Sequence, residues 1–197
     1  MTKEIPTILD KFYAIDFDEF ALMLDKVGDD FGYDATPIGA KVFASMGVDG
    51  VHYCIMPRDG DPTLENSPVY RISPMDFDEG TIIWTAKNFH DFVSISIELK
   101  DFWELPCLIG KDEKEFWDEI ESCKHEFEEQ EEGQKAAILD SINILKKSFN
   151  PIEFKDIYQY VHASYSDKDN HVQLKFAVPD IAEVKTGFYD YTYNTHL

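Results

Sequence analysis

His52 and Cys54 stand two apart in a run of β-forming residues, 51–56, so a strand would place both on one face. A histidine that draws the proton from a thiol makes a nucleophile. A small buried cysteine beside a hydrogen-bonded histidine is the other reading of the same pair. Carboxylates are the next source of chemistry. Asp59-Gly60-Asp61 opens like a calcium loop but lacks the bidentate Glu at the twelfth position. Asp167-Lys168-Asp169-Asn170 fails in the same way, with Val178 at that position. Asp76, Asp78 and Glu79 read either as a weak hard-cation site or as a solvated loop. The histidines at 52, 90, 125, 162, 171 and 196 have no spacing that pairs two metal ligands on one helix face. The chain contains no phosphate-binding glycine loop, no G-x-S-x-G elbow and no H-E-x-x-H. The sequence therefore gives no catalytic, cofactor-binding or metal-ligating residue, and no cofactor is expected.

The most uneven stretch is 112–132, where eleven acidic residues stand against two lysines. Phe116, Ile120, Cys123 and Phe127 follow at spacings of 4, 3 and 4, which predicts a helix docked through one apolar stripe. So many like charges destabilise a helix through i,i+4 repulsion. The acids serve either as a soluble outer face or as a surface kept for a cationic partner. On the second reading the partner-binding residues are Asp112, Glu115, Asp118, Glu119, Glu126 and Glu129, with the aromatic tail residues Tyr189, Tyr191 and Tyr193 as anchors. The whole chain agrees in sign: 39 Asp+Glu against 18 Lys+Arg give a formal charge of −21 over 197 residues. Phosphate and anionic lipid would be repelled, so neither nucleic acid nor membrane is an expected partner. A basic protein is.

Positioning these residues requires a folded scaffold, and 44% apolar with 14% aromatic residues is ample for one. Residues 16–27 carry apolar side chains at helical spacing, closed by Gly28, and predict a helix. Strands are expected near 40–46, 51–56, 68–72 and 81–85, with Asp49-Gly50 as a hairpin turn between the first two. Residues 89–99 predict a helix, although Ser94-Ile95-Ser96-Ile97 also alternates like a strand. Beyond Gly110 the pattern becomes helical: 112–130, broken by Gly133, then a stripe through Ile138, Ile142, Leu145 and Phe149. A third helix is expected to start at Asn150-Pro151. Residues 171–178 predict a strand, and 188–193 alternate aromatic and polar residues like an edge strand. The expected core includes Phe43, Tyr53, Ile55, Ile83, Phe89, Phe92, Phe116, Ile120 and Phe127. Together these predict an α+β fold with a mainly antiparallel sheet. The chain reads as a single domain over 1–197, with a core in 1–110 and a helix-rich extension in 111–197.

The middle of the chain resembles the Smi1/Knr4, or SUKH, superfamily. The resemblance lies in Val42-Phe43-Ala44, then Asp49-Gly50-Val51-His52-Tyr53-Cys54, then Pro68-Val69-Tyr70, then Ala86-Lys87-Asn88-Phe89-His90-Asp91-Phe92-Val93. It covers about residues 38 to 99. It implies helices against a mainly antiparallel sheet and a bacterial immunity role, in which a cytoplasmic protein neutralises a toxin domain such as a nuclease or deaminase. It brings no catalytic motif.

The leading expectation is thus a non-enzymatic acidic binding protein, immunity-like, directed at a basic toxin domain. A small metal- or carboxylate-dependent hydrolase and a multi-partner scaffold of Smi1/Knr4 type are the alternatives. The N-terminus shows no signal-peptide pattern and no run is long enough to span a bilayer. Cys54, Cys107 and Cys123 are odd in number and form no Cys-x-x-Cys, so reduced thiols and a cytoplasmic location are expected.

Overall fold

The computed structural model describes residues 5–28, 30–75 and 82–176. Thr7 caps a short first helix, α1 (Ile8–Tyr13), through a capping box with Asp10. Five strands follow: β1 (Asp25–Lys26), β2 (Lys41–Ser45), β3 (His52–Ile55), β4 (Val69–Ile72) and β5 (Ile82–Ala86). They form one sheet in sequence order, every pairing antiparallel. Four longer helices complete the α+β fold: α2 (Phe89–Leu99), α3 (Glu113–Glu129), α4 (Glu132–Phe149) and α5 (Ile157–Ser166).

The hairpin between β2 and β3 turns at Asp49-Gly50, both at positive φ (47° and 73°). Such a pair of left-handed residues matches the twist of the flanking strands. A Cβ at Gly50 would stand 2.7 Å from the Tyr33 ring, so the position takes only glycine without displacing that ring. The register slips between Val42 and Ala44, and the bulge turns Phe43 into the core.

Each face of the sheet is covered. On one, Phe43, Tyr53, Ile55 and Val69 join α2 in a single cluster that extends through Phe116, Ile120, Ile142, Leu145 and Val161. Asn88 caps α2 by accepting the Asp91 N–H (2.8 Å), and Lys100 ends it in the left-handed conformation. On the other face, Val42, Cys54, Tyr70, Ile72 and Trp84 are covered by the chain around Tyr165 and by Val172, Leu174 and Phe176. The Trp84 indole donates to the Asn170 carbonyl (3.0 Å), and the Val172 N–H donates to the Tyr70 hydroxyl (3.3 Å).

Several expectations need correction. Residues 16–27 form no helix. Phe20 is 86% exposed, Met23 lies at φ 50°, and the Lys26 N–H donates to the Glu19 carboxylate (2.7 Å), which turns the chain into β1. Asn150 ends α4 rather than starting a helix: it takes the left-handed cap, while Asp156 caps α5 six residues later. Gly133 lies inside α4, and the break falls at Gln130-Glu131, both extended. Residues 171–176 are irregular, joined to the loop before β2 by the Ile38 N–H donating to the Lys175 carbonyl (2.7 Å). Ile83 is half-buried, whereas the other expected core residues are buried. The stretch 188–193 lies outside the described residues, as do Asp76, Asp78 and Glu79.

Phe89 and Phe92 are fully buried where α2 meets the sheet. Replacing either with Ala is expected to cost about 3–5 kcal/mol, the transfer and cavity cost of a core phenylalanine. Denaturant titration measures it, and a loss below about 1 kcal/mol would place the residue outside the packed centre.

Candidate functional site

Helix α3 is docked through four residues, Phe116, Ile120, Cys123 and Phe127, all buried. Phe116 meets Tyr158 of α5 edge-on at 5.3 Å, and the Lys100 ammonium stands 3.9 Å from the centre of the Phe127 ring. With 3.6 residues per turn, the remaining positions fall on two flanks and an outer face. Glu113, Trp117, Glu121, Lys124 and Glu128 share one flank, where the Lys124 ammonium donates to the Glu121 carboxylate (2.9 Å). Asp112, Glu115, Glu119 and Glu126 share the other. Asp118 and Glu129 lie on the outer face.

The expected partner-binding residues of α3 thus run from one flank onto the adjoining outer face. Asp112 and Glu115 cap α3 reciprocally, the Glu115 N–H donating to Asp112 (2.9 Å) and the Asp112 N–H to Glu115 (3.3 Å). Asp118 pairs with Lys114 on the surface. Glu119 is half-buried and lies 3.3 Å from the Lys111 ammonium. Glu126 accepts from the Ser122 hydroxyl (3.2 Å), and Glu129 stands 3.7 Å from His125. Tyr189, Tyr191 and Tyr193 lie outside the described residues.

The first flank carries a partly exposed aromatic side chain that the sequence did not single out. Trp117 is 39% exposed, one turn from Glu113 on one side and Glu121 on the other. Its signal was its place off the 4-3-4 stripe, next to Phe116. The last turn of α3 holds Glu128 and Glu129 and no base, an unfavourable match to the helix dipole.

The second flank faces a 3-10 turn, Leu105–Leu108, whose N-cap is Glu104. Here Glu104, Cys107 and Glu119 bring their ligand atoms within 4.8 Å of one another. Asp101 lies beside them, accepting the backbone N–H groups of Trp103 and Glu104 (2.8 Å to the latter). Burial raises the pKa of Asp101 and of Glu104, and like charge nearby adds to both. Burial and the neighbouring Glu104 carboxylate push the Cys107 thiol up as well. Burial pushes Cys123 up to about 12. The sequence concealed this cluster because its members stand at spacings of 3 and 12 on two different elements.

The other candidates are tied into the fold. The His52 ring lies 2.7 Å from the Gly50 carbonyl and 3.0 Å from the Thr36 hydroxyl, and burial lowers its pKa. Burial raises the pKa of the Cys54 thiol. The pair thus matches the structural reading. Asp61 organises its own loop. Partial burial works to raise its pKa, but bonds from Ser67 (2.7 Å), Asn66 (2.9 Å) and Thr63 (3.1 Å) outweigh that and hold it low. A cleft of about 630 Å³ opens beside α1, lined by Asp10, Tyr13 and Lys41 among apolar residues. Asp10 is taken up by the Thr7 cap, and the Tyr13 hydroxyl donates to the Val27 carbonyl (2.8 Å).

Comparisons of the chain with protein-family models, curated proteins and solved structures find no match. Among the described residues, no helix is long and apolar enough to cross a membrane.

Two outcomes follow from the acid–thiol cluster. Glu104 binds its proton more tightly in the folded protein than in the unfolded chain. Stability should therefore fall as pH rises from the ordinary Glu value of about 4.3 through the higher folded value. Glu104→Gln should raise the denaturation midpoint at pH 7 and flatten that slope, and an unchanged slope would contradict the assignment. All three thiols should react with an alkylating reagent at pH 7 more slowly than a free cysteine of pKa about 8.5. A fast native-state reaction at any of them would show that its thiolate is accessible.

Proposed function

We propose that this chain is a non-enzymatic acidic binding protein, an immunity-type neutraliser of a basic toxin domain such as a nuclease or deaminase. One observation carries the reading: a partly exposed tryptophan set among carboxylates on the flank of a helix docked through its apolar stripe. Exposed ion pairs alone contribute little affinity, whereas a large aromatic side chain in a partner's pocket supplies an anchor. The carboxylates around Trp117 then serve attraction and orientation. The net charge of −21 supports the same reading, because the field of the whole molecule draws a cationic partner from a distance. The basic cleft with which a nuclease grips phosphate is a fitting counterpart. The resemblance of residues 38 to 99 to the SUKH superfamily points to the same class and to the cytoplasm as the place of action.

The partner for the test is a basic domain encoded beside this gene or one that co-purifies with the protein. The charge variant is Glu113→Lys with Glu121→Lys and Glu128→Lys. Glu119 is left intact because it is held by Lys111 at the 3-10 turn. The variant should slow association by roughly ten-fold or more at low salt, with the deficit shrinking as salt rises. Trp117→Ala should leave association nearly unchanged and speed dissociation, at a cost of about 2 kcal/mol or more. Unaltered rates in both variants would move the binding surface off α3.

A further inference from the structure

The second flank of α3 supports an inference independent of the basic partner. Glu104 and Cys107 are three residues apart at a 3-10 turn, where side chains at i and i+3 eclipse one another. The turn is fixed by the Cys107 N–H donating to the Glu104 carbonyl (2.9 Å) and by Pro106 within it. Across from it, Glu119 leans off α3, whose position is set by the four buried residues of its stripe. Two elements thus converge a thiol and two carboxylates, all half-buried, with ligand atoms no more than 4.8 Å apart.

We propose that Glu104, Cys107 and Glu119 form a binding site for a zinc-class divalent cation. The donor set decides the class. Calcium and magnesium take six or more oxygens, and a thiolate is a poor ligand for either. Zinc takes four ligands, with Zn–S near 2.3 Å and Zn–O near 2.0–2.2 Å, which sets donor atoms roughly 3.3–3.8 Å apart in a tetrahedron. Side-chain rotation of about 1 Å closes the observed spacing to that size. The fourth position falls to water. On binding, the Cys107 S–H bond breaks, its sulfur bonds the metal and its proton goes to solvent. Lys111 gives up its contact with Glu119. The positive charge of Arg71, which is felt at Cys107, opposes the cation and keeps the affinity below that of an all-thiolate site. The bound ion would pin the 3-10 turn to α3.

The test uses the full chain stripped with a chelator and then titrated with zinc chloride alone. Binding of one ion per chain, with a rise in the melting temperature, is expected. Cobalt chloride supplies a spectroscopic readout. A sulfur-to-cobalt charge-transfer band should appear in the wild-type protein, persist in Cys123→Ala and vanish in Cys107→Ser. Glu104→Gln and Glu119→Gln keep the size of each side chain and remove its charge. Each should weaken zinc binding by more than about ten-fold, the smaller loss typical of outer-shell partners. Wild-type binding no tighter than in Cys107→Ser, a band retained in that variant, or unchanged affinity in both glutamine variants would overturn the site.

Discussion

The packing of Phe43 against α2 is the contact on which the rest of the molecule depends. Its ring meets Phe89 edge-on at 5.2 Å and Phe92 at 5.5 Å, with Phe12 of α1 at 5.7 Å and Tyr53 stacked alongside at 6.2 Å. Edge-to-face pairs of this kind add attraction beyond the area they bury. The bulge at residues 42–44 is what turns Phe43 toward α2, so a local irregularity of one strand sets the contact between layers. Tyr53 adds a polar tie, its hydroxyl donating to the Phe102 carbonyl just after α2. Phe89 also reaches Phe149 at the end of α4 (5.3 Å), so the helical half is fastened to the same aromatic group. The acidic helix joins the same cluster through Phe116, Ile120 and Cys123.

How much of this was legible in the sequence depended on whether a signal was local. The Asp49-Gly50 turn needs only two residues in left-handed backbone, and the four strands around it appeared where expected. The stripe of α3 was equally plain, since four apolar residues at 4-3-4 spacing admit one face and no other. Residues 16–27 misled because their helical spacing ignored where the chain had to go. Phe17, Leu22 and Leu24 are buried by turning inward individually, while Phe20 points to water. Asn150 was ambiguous in principle, because an Asn suits both the start of one helix and the left-handed end of another. Its φ of 46° shows that the end of α4 claimed it. Trp117 and the Glu104–Cys107–Glu119 group were hidden for another reason. Exposure and convergence are properties of the folded chain, and no spacing along 104–119 announces them.

The two flanks of α3 show how one excess of negative charge divides into different environments. On the outer and Trp117 sides the carboxylates are solvated, and water screens their mutual repulsion. On the side of the 3-10 turn the same chemistry is partly withdrawn from water, and Asp101, Glu104 and Cys107 all hold their protons more tightly. Lys111 compensates at Glu119, and backbone N–H groups compensate at Asp101. The helix therefore separates a surface whose charge acts over distance from a seam whose charge acts at contact range.

Only four of the seventeen residues of α3 are buried. Apart from Glu115 in the cap, Trp117 against Phe116 and Glu119 against Lys111, the remaining positions face water and can change one at a time while the scaffold stays as it is. Sequence drift that spares the fold would find most of its room on the outer side of this helix. Divergence between descendants should concentrate there, leaving the aromatic centre beneath α2 almost untouched.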